Sequence, residues 1–313
     1  MKGTFKITLA YLKELGACRE GQREFQKAFP DGGEYQEVLD RCAEEGRLDF
    51  ADWLLSCIGP TEDVRTYSKD IIEPDKNIFF AGRLAFAGSV YVADILAGRG
   101  IEAGQGIRAG QGIEAGEGIL AGCGIEAGEG ILAGCGIEAG ESVLAGRGIE
   151  AGEDILAGCG IKAGESVLAG CGIEAGEGIL AGCGIRAGES VLAGWGIEAS
   201  RGILAGCGIK AGESVLAGWG IEASRGIRAG QGIRAGQGIE AGQGIEAGQG
   251  ILAGWGIEAG EGILAGDGYC VFAGVRVPMS SWESLAVVTA KSKPNNLKSG
   301  FWKPLEDSDE KTQ

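Results

Sequence analysis

The sequence predicts a mainly β protein: a β-solenoid of hexapeptide-like repeats with a small α-helical N-terminal domain and a β cap at the C-terminus. Three observations lead to this fold. Glycine makes up 62 of the 313 residues, 51 of these glycines occupy two fixed positions of a six-residue repeat, and the flanking segments lack that repeat. A flexible Gly/Ser linker would not keep apolar residues in register with the glycines.

The repeat consists of 29 uninterrupted hexads over residues 95–268, of the form [Ile/Val]-x-Ala-[Gly/Ser]-x-[Gly/Ser/Asp]. In a strand, positions one and three point to one side and position two to the other. We therefore expect Ile and Ala to face inward. Positions four and six turn the corner, where positive φ or close backbone approach suits a residue without Cβ. Short strands alternating with tight corners, stacked coil on coil, are typical of a β-solenoid.

Position two indicates how many hexads form one coil. From Glu114 to Glu222, a charged residue alternates with leucine at this position, which gives a period of two hexads. A flat coil of two hexads would stack like residues in columns, whereas a triangular coil of three hexads would alternate leucine with charge on every face. We expect two hexads per coil.

Such a coil places all the leucines of position two on one face, next to two tryptophans of position five. Monomeric proteins rarely expose apolar patches above a few hundred Å², so this face predicts a homodimer interface; cover by the chain's own termini is the alternative. The predicted interface residues are Leu120, Leu132, Leu144, Leu156, Leu168, Leu180, Leu192, Leu204, Leu216, Trp195 and Trp219.

The opposite face would be acidic, and it is the predicted partner-binding surface. Its glutamates occupy positions two and five of alternate hexads: Glu114, Glu117, Glu126, Glu129, Glu138, Glu141, Glu150 and Glu153. Like charges one strand apart repel. Two interpretations stay open: a solvated face that keeps the protein soluble, or a row of carboxylates that imitates the phosphate backbone and occupies a DNA-binding partner.

The flanking segments predict helices and caps. Gly and Pro stops separate four expected helices, at 8–15, 20–29, 34–45 and 50–57. Bulkier, degenerate hexads lie on both sides of the repeat. They are typical of solenoid caps, which cover open strand edges. The predicted division is a helical domain at 1–63, a transition and N-terminal cap at 64–94, the solenoid at 95–268, a C-terminal cap at 269–303 and a disordered tail at 304–313.

Composition excludes several functions. The chain has no histidine and a net charge of −16, so we expect no histidine-based catalysis, no His-bound metal and no direct binding of nucleic acid. The calcium motif of some solenoids is missing, and stacked cysteines are more often apolar packing than soft-metal ligands. We therefore predict a non-enzyme without metal or cofactor.

The sequence also predicts where the protein acts. It has no run of eighteen apolar residues and no signal-peptide pattern at the N-terminus, so we expect no contact with a membrane. Its ten cysteines largely follow the repeat and are expected to be free thiols in the cytoplasm.

The N-terminal segment carries a resemblance. The run from Leu12 to Cys18, the Phe29-Pro30-Asp31-Gly32 segment and Trp53-Leu54-Leu55 resemble a small helical module of bacteriophage and prophage proteins, and the Gly-Ile-x-Ala-Gly repeats are similar to those of the same group. The resemblance implies a phage-derived protein that acts in the cytoplasm of a bacterial host.

Together these features predict a non-catalytic interaction protein that inhibits a host defence or DNA-handling enzyme, such as a nuclease or helicase. One alternative is a structural spacer or virion scaffold. A second is a sponge for a nucleotide signal, bound between subunits near Trp195, Arg201, Trp219 and Arg225.

Overall fold

The computed structural model describes residues 5–305. It is mainly β, a parallel β-solenoid of about 13 turns with a small helical N-terminal region, so the predicted fold class is confirmed. The predicted tail at 304–313 falls outside the described residues from 306 onward. The chain divides into two compact units, one ending at Gly146 and one beginning at Arg147.

The helical region contains a short antiparallel strand pair and four helices. Their bounds are β1 Lys6–Ile7, α1 Leu9–Glu14, α2 Arg19–Ala28, β2 Gly33–Glu34, α3 Tyr35–Glu45 and α4 Leu48–Ile58. Thr8 caps α1 through its hydroxyl, and Gly46 ends α3 in the left-handed conformation. The four predicted helices are present, with ends shifted by at most two residues.

The solenoid part of the first unit consists of fourteen strands among the described residues. They are β3 Val64–Tyr67, β4 Ile71–Glu73, β5 Ile78–Phe80, β6 Arg83–Phe86, β7 Val90–Val92, β8 Ile95–Ala97, β9 Ile101–Ala103, β10 Ile107–Ala109, β11 Ile113–Ala115, β12 Ile119–Ala121, β13 Ile125–Ala127, β14 Ile131–Ala133, β15 Ile137–Ala139 and β16 Val143–Ala145.

The regular strands of the second unit continue the same three-residue form. They are β17 Ile149–Ala151, β18 Ile155–Ala157, β19 Ile161–Ala163, β20 Val167–Ala169, β21 Ile173–Ala175, β22 Ile179–Ala181, β23 Ile185–Ala187, β24 Val191–Ala193, β25 Ile197–Ala199, β26 Ile203–Ala205, β27 Ile209–Ala211, β28 Val215–Ala217, β29 Ile221–Ala223, β30 Ile227–Ala229, β31 Ile233–Ala235, β32 Ile239–Ala241, β33 Ile245–Ala247, β34 Ile251–Ala253, β35 Ile257–Ala259 and β36 Ile263–Ala265.

The C-terminal segment of the second unit is irregular. It contains β37 Val271–Phe272, a 3-10 turn Met279–Ser281, α5 Trp282–Leu285, β38 Val287–Ala290, β39 Leu297–Ser299 and β40 Phe301–Pro304. Strands β37 and β38 pair with β34 and β35. The Asn296 amide donates to the carbonyl oxygen of Tyr269 at 2.8 Å and lies near β36. This segment therefore covers the last coil.

Neighbouring strands of the regular repeat pair in parallel and are three strands apart in the sequence, so the expected coil of two hexads is wrong. Ile113 is opposite Ile131, and Ile155 is opposite Ile173; the residues of both pairs are three hexads apart in the sequence. One coil thus contains three hexads. In the second unit we call the three faces sheet I (β18, β21, β24, β27, β30, β33, β36), sheet II (β19, β22, β25, β28, β31, β34, β37, β39) and sheet III (β17, β20, β23, β26, β29, β32, β35, β38, β40).

The core follows the repeat as expected. Position-one Ile and Val side chains and position-three Ala side chains are buried in every regular strand, while position two is exposed or half-buried in nearly all. The core of the helical region is built from Leu12, Phe25, Val38, Leu39 and Leu54, and it continues into the first coil at Phe79. It joins the first coil through α3, where the Gln36 amide donates to the Phe79 carbonyl oxygen at 2.8 Å.

Candidate functional site

The predicted acidic column is not formed. Neighbouring strands join residues that are three hexads apart, and no two of the eight predicted glutamates have that spacing. Glu114 pairs with Leu132, Glu138 with Leu120, Glu126 with Leu144 and Glu150 with Leu168. The position-five residues Glu117, Glu129, Glu141 and Glu153 lie at corners between strands.

Several of these glutamates have partners within the first unit. Glu117 forms ion pairs with Arg99 at 2.9 Å and Arg83 at 3.3 Å. Glu126 lies 3.5 Å from the Arg108 guanidinium. Burial, followed by interaction with Asp52 of α4, raises the pKa of Glu114. Arginines thus neutralise part of the predicted acidic surface, and Glu114 is half-buried beside the helical region.

The predicted leucine face is also wrong as a continuous stripe, because the leucines are distributed over all three faces. Leu156 and Leu192 lie on sheet I, Leu180 and Leu216 on sheet II, and Leu168 and Leu204 on sheet III. In the first unit, Leu120, Leu132 and Leu144 lie in β12, β14 and β16. Each leucine has a charged residue beside it, as Leu192 has Glu174 and Lys210. The homodimer remains a prediction, but the continuous leucine face expected to form its interface is not formed.

The residues proposed for a nucleotide lie at three different corners of the coil. Trp195 follows sheet I, Arg201 and Trp219 follow sheet II, and Arg225 follows sheet III. The Arg201 guanidinium lies 5.4 Å from the centre of the Trp219 ring, on the next coil. One chain therefore brings two of these four residues together.

The structure reveals an acidic column that the sequence reasoning missed. Glu222, Glu240 and Glu258 occupy position two of three consecutive strands of sheet III, in direct register. Their spacing is about 4.8 Å, the distance between paired strands. Partial burial, then the neighbouring Glu258 and Glu222 carboxylates, raise the pKa of Glu240. The sequence signal was a glutamate at position two of every third hexad, which is visible only once the coil length is known.

This column, which we call the sheet III carboxylates, forms part of a groove of about 650 Å³. Trp219, Gln237 and Trp255 follow one another along the corner before sheet III, and both tryptophans are exposed. Leu285 of α5 and Thr289 of β38 also contribute to the lining. The groove thus combines closely spaced negative charge with flat aromatic surface, which suits a cationic group.

The second unit has another groove, of about 680 Å³, along sheet I. Its lining includes Lys210, Arg228 and Glu246, and an ion pair joins Arg228 to Glu246 at 2.8 Å. Charges of both signs are mixed there. The sheet III groove also has a cation in its lining, Arg186, but its three glutamates outnumber it, so that groove favours a cationic group more strongly.

Two further properties bear on the chemistry of the surface. Within residues 5–305, no group of three or more Cys, Asp or Glu side chains is arranged to hold a metal ion. In the same described part of the chain, none of the helices has the length and apolarity needed to cross a membrane.

Comparison with known proteins gives a match for the N-terminal segment. Residues 1–58 match the family model of the YdhT N-terminal domain. Neither the curated proteins nor the solved structures give a match to the chain. The matched segment coincides with β1, β2 and the four helices α1 to α4, and the solenoid lies outside it.

Proposed function

We propose that this chain is a non-catalytic interaction protein of phage origin that inhibits a host nuclease, helicase or other DNA-binding defence protein in the bacterial cytoplasm. The observation that carries the proposal is the column of sheet III carboxylates beside Trp219 and Trp255. The phage origin rests on the resemblance of residues 12–18 and of the repeats. The cytoplasm suits a chain whose ten cysteines are free thiols.

Charge spacing supports a partner that normally binds nucleic acid. The sheet III carboxylates present one negative charge per ~4.8 Å, and a single DNA strand presents one per ~3.4 Å. Arginine side chains that bind phosphates also stack on tryptophan. A basic nucleic-acid-binding surface therefore finds both of its preferred contacts in the sheet III groove.

We expect replacement of Glu222, Glu240 and Glu258 by Gln to weaken binding of the host partner by roughly tenfold or more, because complementary charges speed association and close charge pairs add affinity. The raised pKa of Glu240 means that its ionised form costs stability; this cost sets in as pH rises above the ordinary glutamate pKa and is complete above the folded pKa. The variant should therefore melt at the same temperature as the wild type or higher at neutral pH. Pull-down from host extract, followed by displacement of the captured protein from duplex DNA, measures the effect.

The matched control replaces Glu150, Glu174 and Glu198 by Gln. These three residues are equally exposed, lie on three different sheets and are flanked by leucine in the pairs described. The net charge changes by the same amount in both variants. If the control loses inhibition as fully as the variant that lacks the sheet III carboxylates, the overall charge rather than the sheet III groove determines binding of the partner.

A structural spacer is the second candidate, and one observation favours it. Consecutive coils repeat the same three-strand unit with the same buried positions. Such uniformity suits a rigid support. Two results together would favour the spacer over the inhibitor. The variant that lacks the sheet III carboxylates would keep full inhibition, and deletion of coils would abolish function.

A further inference from the structure

The helical region contains a cavity of about 320 Å³ among α1, α2, α3 and α4. This volume falls within the range of small-molecule sites, about 300–1,000 Å³. The cavity reaches the core of the region, because the buried side chains of Leu12, Phe25 and Leu54 line it. It is therefore a deep site rather than a flat surface patch.

Its lining is apolar and aromatic. Phe29, Phe50 and Trp53 form part of it and are only partly buried. Two cysteines also contribute to the lining. Burial raises the pKa of Cys42 to about 12, so this thiol stays protonated at neutral pH, and the Cys18 sulfur accepts a hydrogen bond from the Gly21 N–H at 3.3 Å.

The charges at the rim are already paired within the region. Arg47 lies 2.7 Å from Glu24 and 3.1 Å from Asp49, and its guanidinium lies 3.7 Å from the centre of the Phe50 ring. Arg41 forms ion pairs with Glu44 and Glu45. A ligand therefore finds no unpaired cation among the described residues of the rim, and the excess of carboxylates repels an anion.

We propose that this cavity binds a neutral hydrophobic small molecule of one to three rings. The deep apolar lining supplies the attraction, and the paired, acidic rim excludes negatively charged ligands. This inference does not depend on the proposed function of the solenoid, because every residue that it uses belongs to the N-terminal region.

The test uses two probes that share one chromophore. N-phenyl-1-naphthylamine is neutral, and 8-anilino-1-naphthalenesulfonate carries one negative charge; both fluoresce more strongly in an apolar site. We expect the full chain to bind the neutral probe saturably at one site and the sulfonate at least tenfold more weakly. Equal affinity for the two probes would contradict the requirement for a neutral ligand.

Gly21 provides an occluding variant with a matched control. A Cβ at Gly21 would lie 3.6 Å from the Cys18 sulfur and 3.7 Å from the Phe50 ring, which is ordinary contact. Gly21→Leu should fill the cavity and abolish binding of the neutral probe. Gly21→Ala makes a similar change in helix propensity without filling the space, so it should keep the wild-type affinity within about twofold.

Melting curves of both variants establish that the region is folded. If Gly21→Leu unfolds it, Gly21→Met provides a flexible side chain that adapts to irregular space. Two results would overturn the proposal: unchanged probe binding in the folded occluding variant, or no saturable binding by the wild type. The second result would assign the cavity to an apolar side chain of a protein partner.

Discussion

At the scale of single residues, close approach between coils explains the glycines of position four. A Cβ on Gly182 would overlap the carbonyl oxygen of Gly164 in the preceding coil. Among the described residues, none of the glycines at positions four and six of the 29 hexads has positive φ except Gly268 at the end. Of the two reasons that the sequence left open, close approach is thus the operative one. Where serine replaces glycine, at Ser200, its N–H lies 3.3 Å from the Ala181 oxygen, against 3.0 Å for Gly182 and Ala163.

Position six is less restricted. A Cβ on Gly184 would lie 3.3 Å from the carbonyl oxygen of Gly202, a contact that a small shift relieves. This explains why position six holds five exceptions to glycine and position four only two. One exception is useful to the fold, because the Asp154 carboxylate accepts a hydrogen bond from the Gly172 N–H at 2.7 Å.

We therefore expect Gly182→Ala to lower the free energy of unfolding by about 1–3 kcal/mol, since the backbone at this corner has to shift to admit the methyl group. Gly184→Ala adds the same methyl group two residues later and should change it by less than about 1 kcal/mol. Chemical denaturation of both variants measures the difference. Similar losses in the two would contradict the close-approach explanation.

At the scale of elements, the sequence predicted the type of structure better than its stacking. Gly and Pro stops located the four helices, and the Ile and Ala positions predicted the inward side of every regular strand. These successes rest on local chemistry that a single hexad or turn already contains.

The coil length could not be obtained in the same way. The sequence period of two hexads suggested columns of like residues, but the coil has three hexads, so leucine and charge alternate along each sheet from Glu114 to Glu222. The alternation is physically favourable. It separates carboxylates that would repel each other and divides an apolar stripe into isolated leucines. The predicted acidic column is not formed for this reason, because its glutamates lie two hexads apart rather than three.

Disulfide formation tests the three-hexad register. The Glu189 N–H donates to the Cys171 oxygen at 2.9 Å, and the Cys207 N–H donates to the Glu189 oxygen at 2.9 Å. Adjacent parallel strands bring Cα atoms within disulfide range. Under mild oxidation, Glu189→Cys should therefore form a disulfide with Cys171 or Cys207, detected by mass spectrometry of tryptic peptides.

The wild-type chain is the control for this experiment. Cys159, Cys171 and Cys183 follow one another at intervals of two hexads and lie at three different corners. They should remain free thiols under the same oxidation. A Cys159–Cys171 or Cys171–Cys183 disulfide would support the flat coil of two hexads and contradict the register described here.

At the scale of the whole molecule, strand edges at the end of the repeat need cover. Strands β37 and β38 pair with β34 and β35, and the segment around Asn296 lies on β36. Without this cover, rows of N–H and C=O groups would be open to other chains. The irregular sequence after Gly268 therefore has a role that the repeat itself cannot perform.

A chain that ends at Gly268 should associate into large species, because three open sheet edges pair with those of other copies. Static light scattering measures the association. The control lacks the coil from Ile173 to Ser190 and keeps the C-terminal segment. We expect this control to give the same association state as the wild type, and a monodisperse truncated chain would show that the segment is dispensable.

The equivalence of the hexads has a consequence for how such a chain changes its length. Every hexad buries Ile or Val and Ala, so gain or loss of one hexad preserves the core. It also moves each later side chain of the same unit to the next sheet. Gain or loss of three hexads returns each side chain to its own sheet, one coil further along. Length variation by whole coils thus adjusts reach, while variation by single hexads reassigns which chemical groups share a surface.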